Sequence, residues 1–428
     1  MDLTKLQRSM SQSSLPAAAP ESLASLLRQR AFVLFWTSRF LTVLAAQAQG
    51  VTIAWQVYAL ARRSANVEQS ALLLGMIGLA QFLPLFALSL VAGDTADRHD
   101  RRSIVMVCLV AEIVCVGALA ALSVTGAAAF WPILALAVVF GAARAFFNPA
   151  STALAPTLVP PALLPRAIAW NSLSWQGASI AGPALGGLLC AISPTASYLA
   201  VAGLYAAAIA ALMFVRAKTV QVRHTASRIA LMKEGLAYVW RQKIVFGSIS
   251  LDLVAVLLGG ATALLPVFAR DILHVGAPGF GVLRASPAIG AAIVAAWLAA
   301  HPIREKAGLK MFAGVALYGV ATVVFALSHS MLLSIIALAL LGAGDMISVF
   351  VRQSLVQIVT PDPMRGRVAA VSTLFIGASN ELGEFESGVA ARLLGPIWAA
   401  LFGGIGALIA TGVWAKLFPD LRKADRLG

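Results

Sequence analysis

The sequence predicts an all-α integral membrane protein of twelve transmembrane helices, arranged as two pseudo-symmetric six-helix bundles. Three observations predict it: an excess of apolar residues, twelve long apolar stretches, and a self-similarity between the two halves of the chain. Hydrophobic residues make up 60% of the 428 residues and charged residues only 12%, with a mean hydropathy of +0.87. One soluble core cannot bury that many apolar side chains, so lipid is the expected solvent.

The apolar stretches have the length that a bilayer requires. Crossing about 30 Å of hydrocarbon takes about 20 residues of helix. The sequence lacks the alternating pattern of an outer-membrane barrel, so the spans are expected to be helices, which satisfy their own backbone hydrogen bonds. We place them near 33–58, 71–92, 103–125, 131–157, 168–192, 196–215, 244–268, 278–299, 310–328, 331–358, 368–391 and 394–417.

Positive charge is distributed unevenly between the two sides of these spans. With both termini in the cytoplasm, 24 of the 32 Lys and Arg residues fall on the cytoplasmic side, and the outer segments hold only Arg62, Arg63, Arg270 and Arg392. This is the positive-inside pattern of a bacterial plasma (inner) membrane protein. The basic residues are dispersed over many loops without an aromatic-interleaved patch, so the formal net charge of +14 does not predict a nucleic-acid partner.

A long hydrophilic segment divides the chain. The predicted units are a cytoplasmic tail (1–30), an N-terminal six-helix bundle (31–216), a cytoplasmic central loop (217–243), a C-terminal bundle (244–418) and a second cytoplasmic tail (419–428). A shift of 201 residues aligns Pro160 with Pro361, Gly182 with Gly383 and several other punctuating residues. Coincidence is the alternative, but a duplicated six-helix unit is the economical explanation.

The segment between the second and third spans is a short, densely charged turn. A glycine permits close helix approach, and a carboxylate can hold a facing helix N-terminus or an arginine across the two halves. A solvated loop that serves only topology is the alternative. The pattern resembles the loop signature of the major facilitator superfamily, except that Asp100 replaces a second glycine. The residues that form this predicted gate are Gly93, Asp97, Arg98, Arg101 and Arg102.

The fifth span carries a run of small residues around a proline. Small residues allow close helix packing, and a proline removes a backbone donor and bends the helix, so the run is either a pivot or an ordinary packing face. It resembles the antiporter motif that exporters of this superfamily carry on the same helix. The residues of this motif are Gly177, Gly182, Pro183, Gly186 and Gly187.

The resemblance extends over most of the chain, from 31 to 421. Asn148-Pro149-Ala150, Leu158-Val159-Pro160 and the segment 379–388 resemble the enterobactin-exporter group and the related drug–proton antiporters. The resemblance implies a major facilitator fold and secondary transport. It also implies that the first, fourth, seventh and tenth helices line a central cavity.

Charged residues inside the spans each cost at least about 2.5 kcal/mol at a helix centre, so each needs an explanation. The ten residues of this kind are Arg39, Glu112, Arg144, Asp252, Arg284, Asp345, Arg352, Glu381, Glu384 and Glu386. Aligning the halves places Arg144 on Asp345 and Arg39 on Asp252, opposite in sign. We hypothesise that these four residues flank the pathway, with Asp345 as a proton carrier near Arg144 or Arg352. A static ion-pair network is the alternative.

Three of these charges lie close together on the eleventh span. Glu381 and Glu384 share one helix face, whereas Glu386 points elsewhere. Three neighbouring carboxylates do not readily all ionise in a low dielectric, which makes all three candidates for proton binding, with Glu381 and Glu384 on the pathway. Pairing with Arg98, Arg284 or a helix end is the alternative.

The sequence favours a proton-coupled exporter of an amphipathic small molecule, siderophore-like or drug-like, that works by alternating access. An uptake symporter of the same superfamily is the alternative. No nucleotide-binding loop, metal-spaced His or Cys set or catalytic triad is present, so neither an enzyme nor a cofactor or metal is expected. The expected partners are the substrate, protons and the bilayer, and a monomer is expected to be functional.

Overall fold

The computed structural model describes residues 23–216, 228–303 and 305–424, and within them twelve long helices follow one another. Shorter helices cover Leu23–Leu27, Arg228–Arg241 and Pro419–Arg422. Most of the predicted N-terminal tail lies outside the described residues. The long helices are α1 (Arg30–Ala61), α2 (Val67–Arg98), α3 (Arg101–Val124), α4 (Phe130–Leu154), α5 (Leu164–Ile192), α6 (Pro194–Met213), α7 (Lys243–Leu258), α8 (Gly276–Ala300), α9 (Ala307–Ala326), α10 (Met331–Val359), α11 (Asp362–Leu394) and α12 (Pro396–Leu417).

Eleven of the twelve helical segments are long and apolar enough to cross a membrane. One of them, Lys243–Ile272, includes α7 and its continuation through a 3₁₀ turn at Ala261–Leu264 and a π-helical turn at Phe268–Ile272. The exception is α11, which has 33 residues and also carries Glu381, Glu384 and Glu386. The predicted all-α membrane fold is confirmed, and α11 is the least apolar of the twelve long helices.

Local sequence explains where several helices begin. The side chain of Asn66 accepts a hydrogen bond from the Gln69 amide at 2.8 Å and caps α2. Asp100 caps α3 in the same way, accepting from the Ser103 amide at 2.9 Å. Ser193 caps α6, and the proline that follows it occupies the first turn, where a missing N–H costs nothing.

Two helices extend six residues beyond their predicted spans. The second span was expected to end at residue 92, but α2 continues to Arg98, so the charged motif occupies the last turns of a helix. The eleventh span was expected to begin at 368, but α11 begins at Asp362. Hydropathy detects only the part of a helix that lipid covers, and both helices extend beyond it with polar residues.

Helix packing divides the molecule into two halves. In the N-terminal half α1 packs against α5 and α6, and α4 packs against α2 and α3. In the C-terminal half α10 packs against α8 and α9, and α7 against α11 and α12. The halves meet where α2 packs on α11 and α5 packs on α8. The starts of α4 at Phe130 and α10 at Met331 are 201 residues apart, as the sequence repeat requires.

The predicted central loop contains a helix, Arg228–Arg241, which we call the linker helix. Its Tyr238 hydroxyl donates to the Val359 carbonyl at 3.0 Å, and its Glu234 forms an ion pair with Arg367 of α11. Gly235 lies so close to α11 that a Cβ there would be 2.9 Å from the Arg367 carbonyl oxygen. The linker helix is therefore packed onto the C-terminal half.

Candidate transport site

A cavity of about 240 Å³ lies between the two halves. Helices α1 to α6 contribute to its wall from one side, and α8, α11 and the segment after α7 from the other. Of the four helices that the resemblance placed around the cavity, α10 contributes no described residue to this lining. The aromatic lining residues are Phe140, Phe147, Trp175, Tyr205 and Phe280, and the charged lining residues are Glu112, Arg144, Arg284, Glu381 and Glu384.

Two ion pairs join residues across this cavity. Arg144 of α4 directs Nη1 to Glu381 Oε1 of α11 at 3.4 Å, and to the Gln81 side-chain oxygen at 3.5 Å. Arg284 of α8 directs Nη2 to Glu384 Oε1 at 3.1 Å. The Arg144–Glu381 pair connects the N-terminal half to the C-terminal half, so any motion that separates the halves must break it.

The Arg284 side chain also uses the interruption of α7. Its Nη1 donates to the Thr262 carbonyl at 3.1 Å, within the 3₁₀ turn that follows α7. Irregular backbone at membrane depth exposes polar groups and is tolerated where it lines a cavity or is buried in protein. Arg284 thus donates a hydrogen bond to a carbonyl group that the break in α7 would otherwise leave unpaired, facing the cavity.

Glu112 of α3 is the third carboxylate of the cavity and is only 5% exposed. Its Oε2 has no hydrogen-bond partner among the described residues. The Tyr205 hydroxyl is within hydrogen-bonding reach of the Glu112 carboxyl group and donates to the Gln49 side-chain oxygen at 3.2 Å. The sequence identified Glu112 as a charge inside a span but assigned it no role. No other charged residue lies near it along α3, so the local sequence indicated no partner.

A second group of charges lies inside the C-terminal half, away from the central cavity. Arg352 of α10 places Nη1 3.1 Å from Asp252 Oδ2 of α7, with side chains 2% and 6% exposed. Asp345 interacts electrostatically with both residues and, with Asp252 and Tyr318, lines a small cavity of about 10 Å³. We call Asp252, Asp345 and Arg352 the α7–α10 cluster. It contains two carboxylates and one guanidinium.

The structure distributes the hypothesised pathway residues over several places. Either Arg144 or Arg352 was expected near Asp345. The structure places Arg352 near Asp345, and the carboxylate partner of Arg144 is Glu381. Arg39 lies on α1 next to the stacked rings of Trp36 and Phe40, and it has no ion-pair partner in the described part of the chain.

The glycine motif of α5 makes two different contacts. A Cβ on Gly186 would lie 2.6 Å from the Ala48 carbonyl oxygen of α1, and one on Gly182 would lie 2.5 Å from the Gln47 side chain. A Cβ on Gly187 would instead lie 2.6 Å from the Ala277 carbonyl oxygen and 2.8 Å from Gly281 Cα, both on α8. The motif therefore packs one half internally and also holds the two halves together.

The remaining two motif residues differ in how tightly they are packed. The Pro183 carbonyl lies against Gly281, so α8 approaches the α5 backbone directly at the bend. Gly177 is not tightly packed, because a Cβ there would meet only the Phe40 ring, at 3.6 Å.

Two arginines of the α2–α3 motif hydrogen-bond within the N-terminal half. Arg101 donates to the Ala153 carbonyl at 2.9 Å, at the end of α4, and Arg102 donates to the Met213 carbonyl at 2.7 Å, at the end of α6. Both arginines therefore donate hydrogen bonds to carbonyl groups that a helix terminus leaves unpaired. Arg98 pairs with Asp94 on the same helix at 2.8 Å, while Gly93 is buried and Asp97 is half-buried.

The two halves are in close backbone contact at one end of the bundle. We call this end the distal side; α1 and α7 end there, and the described chain termini lie at the opposite end. Gly75 of α2 faces Gly388 of α11, where a Cβ on Gly75 would lie 3.1 Å from Gly388 Cα. The Tyr58 hydroxyl hydrogen-bonds to Asp271, and Arg62 lies 3.4 Å from the same carboxylate. We call Tyr58, Arg62 and Asp271 the distal cluster. The sequence did not single it out as a functional group.

The whole-chain comparison settles the family. The family model described as "Transmembrane secretion effector" (MFS_3) matches residues 21–427. The chain belongs to this transporter family of the major facilitator superfamily. It is therefore a multi-pass membrane transporter and not an enzyme, as the sequence motifs indicated.

A curated relative and several solved structures resemble this secretion-effector family member. The enterobactin exporter EntS of Citrobacter koseri is 30% identical over 152 residues, which are 35% of this chain and 36% of the exporter. The match thus spans about a third of that relative. A bacterial homologue of the iron transporter ferroportin, in its inward-facing state, has a TM-score of 0.67 at 16% identity and covers 91% of this chain and 99% of its own.

Two further solved structures confirm the fold alone, because their sequence identities are low. A D-xylose–proton symporter has a TM-score of 0.67 at 12% identity, covering 92% of this chain and 98% of its own. A POT family transporter in complex with a thioalcohol-conjugated peptide has a TM-score of 0.70 at 12% identity, covering 92% and 96%.

Proposed function

We propose that the protein is a proton-coupled exporter that moves an amphipathic small molecule across the bacterial plasma membrane by alternating access. The observation that carries this proposal is the cavity between the halves, with aromatic walls and charged residues supplied by both. The partial similarity to an enterobactin exporter, and the secretion described for the family, support export rather than uptake. A siderophore-like or drug-like solute fits a wall that is aromatic and charged at once.

The α7–α10 cluster supports proton coupling. It is buried, separate from the substrate cavity, and holds two carboxylates against one arginine. Two buried carboxylates that share one counter-charge bind a proton as a unit. Asp345 is the proposed carrier, because Asp252 already has Arg352 at 3.1 Å. Glu381 and Glu384 then belong to the substrate cavity, where separation of the halves breaks the Arg144–Glu381 pair.

We place both termini in the cytoplasm, so that the distal side faces outward and the close α5–α8 and α2–α11 contacts shut the cavity from the outside. The distribution of Lys and Arg supports this orientation. In the opposite conformation the α2–α3 motif, with Gly93 and Asp97 on the last turns of α2, would approach the C-terminal half. A single chain contains both halves and the whole cavity, which supports a functional monomer.

Reconstitution tests the proposal. Purified protein in liposomes with an imposed pH gradient is screened for flux of catecholate siderophores and amphipathic drugs. Gradient-driven flux opposite to the proton flux is expected in the wild type. Flux of the solute in the same direction as the protons would show an uptake symporter. The D-xylose–proton symporter has a similar fold.

A substitution pair tests the coupling site. Asp345→Asn is expected to abolish gradient-driven flux while the protein still folds and is expressed. Glu386→Gln is the matched control, because it neutralises another membrane carboxylate that lies outside both the cavity lining and the α7–α10 cluster. Equal gradient-driven flux in Asp345→Asn and in the wild type would contradict Asp345 as the carrier.

A further inference from the structure

The central cavity has one more carboxyl group than it has guanidinium groups. Its lining contains three carboxylates, Glu112, Glu381 and Glu384, and two guanidinium groups. Arg284 is held by Glu384 at 3.1 Å, and Arg144 directs Nη1 to Glu381 at 3.4 Å. Arg144 is close enough to attract Glu112 electrostatically, but no ion pair within 4.0 Å joins them. Glu112 is therefore the carboxylate for which the cavity supplies no cation of its own.

The position of Glu112 makes it available to a ligand. It lines the cavity, is 5% exposed, and its Oε2 is buried without a hydrogen-bond partner in the described residues. An unsatisfied acceptor at such a site costs free energy that a ligand recovers when it supplies a donor or a positive charge. An ionisable residue at such a position inside the membrane is a candidate functional residue.

The rest of the wall favours the same type of ligand. Phe280 stacks with Trp55 at a centroid separation of 6.0 Å, and the Phe140 ring already carries the Arg144 guanidinium 5.8 Å from its centroid. Aromatic faces attract cations and repel anions. The aromatic area also buries apolar parts of a solute.

We infer that the cavity selects amphipathic molecules with a single positive charge, and that Glu112 is the residue that makes this selection. The inference rests on the proposed transport function and narrows its substrate class. A bound monocation balances the third carboxylate, places its apolar groups against the phenylalanine and tryptophan rings, and leaves both arginine–glutamate pairs intact. An anion of the same shape finds both guanidinium groups already paired with carboxylates and no further cation in the cavity.

Two ions of the same shape and opposite charge test the inference. Binding of tetraphenylphosphonium and of tetraphenylborate to the purified full-length protein is measured by titration calorimetry at one fixed detergent concentration. The wild type is expected to bind the cation at least tenfold more tightly than the anion, after subtraction of binding to empty micelles. Tighter binding of tetraphenylborate would overturn the inference, whatever the variants do.

The variants separate charge from structure. Glu112→Gln keeps the shape, removes the charge, and is expected to weaken tetraphenylphosphonium binding at least tenfold without weakening tetraphenylborate binding. Glu112→Asp is expected to keep the preference for the cation, and Glu386→Gln is expected to bind both ions as the wild type does. Unchanged cation affinity in a folded Glu112→Gln protein would overturn the assignment.

Flux measurements in liposomes distinguish failure of this inference from failure of the proposed transport function. If the wild type shows gradient-driven export but no preference for the cation, export stands and the inference falls. If it prefers the cation at equilibrium but transports nothing under any gradient, the proposed transport falls while the charge selection by Glu112 stands.

Discussion

The contact between Gly187 and α8 gives a sharp test of rigid-body rocking. An alanine Cβ at position 187 would lie 2.6 Å from the Ala277 carbonyl oxygen and 2.8 Å from Gly281 Cα. Both partners are backbone atoms, so the helices must separate by about 0.8 Å to restore ordinary van der Waals contact at 3.4 Å. Overpacking of this kind costs about 1–3 kcal/mol. If the cost falls only on the state in which the distal side is closed, its population relative to the open state falls roughly 5- to 150-fold.

The measurement is a distance between spin labels on the distal ends of the two halves. Labels are attached to cysteines introduced at Ile192 and Leu394, after replacement of Cys108, Cys115 and Cys190. Gly187→Ala is expected to transfer population from the shorter to the longer distance. Gly203→Ala is the matched control, because a Cβ on Gly203 meets nothing within 4 Å.

A second glycine of the same helix supplies the refuting comparison. A Cβ on Gly186 would be equally crowded, at 2.6 Å from the Ala48 carbonyl, but within one half. Gly186→Ala is therefore expected to lower the melting temperature without changing the distance distribution. If Gly186→Ala and Gly187→Ala change the distances alike, the closed and open states do not differ at the α5–α8 contact and the reasoning fails.

Two further predictions follow from the buried charges and the distal cluster. Arg352→Met leaves Asp252 unpaired in the C-terminal half and is expected to destabilise the protein by about 3–5 kcal/mol. The loss is measured as a lower thermal unfolding temperature, which Asp252→Asn is expected to restore in the double variant. An unchanged unfolding temperature in Arg352→Met would contradict the pairing. Tyr58→Phe removes the hydrogen bond to Asp271 between the halves, worth about 1 kcal/mol, and is expected to raise the open population about fivefold in the spin-label assay. Adding Asp271→Asn to Tyr58→Phe is expected to raise the open population little further. Equal and additive effects of the two substitutions would show that the two residues do not act together.

The sequence predicted the spans and the two halves well because both are local properties. Apolar length marks a helix wherever lipid surrounds it, and the repeat survives in punctuating residues such as Pro160 and Pro361. It predicted the ends of α2 and α11 poorly because Arg98 and Asp362 belong to helical turns outside the lipid. It did not anticipate the linker helix, whose stability comes from packing against α11.

The partners of the charged residues were harder to predict than the charges themselves. Arg144 was recognised as a residue that needs a partner, but the choice of Glu381 over Asp345 depends on how α11 approaches α4 from the other half. Tyr58 and Asp271 are 213 residues apart, and neither stands out as a charge at mid-membrane depth. Pairing across two halves is a property of their docking, which periodicity within one helix does not encode.

The attachment of the linker helix to α11 changes where the chain can be divided for experiments. Fragments cut at residue 243 would strip Tyr238 from the Val359 carbonyl and Glu234 from Arg367, leaving a C-terminal fragment with an uncovered apolar patch that includes Val368 and Val371. Fragments cut before residue 228 would keep that patch covered. Co-expressed pieces divided at the earlier position should therefore reassemble better than pieces divided at the later one.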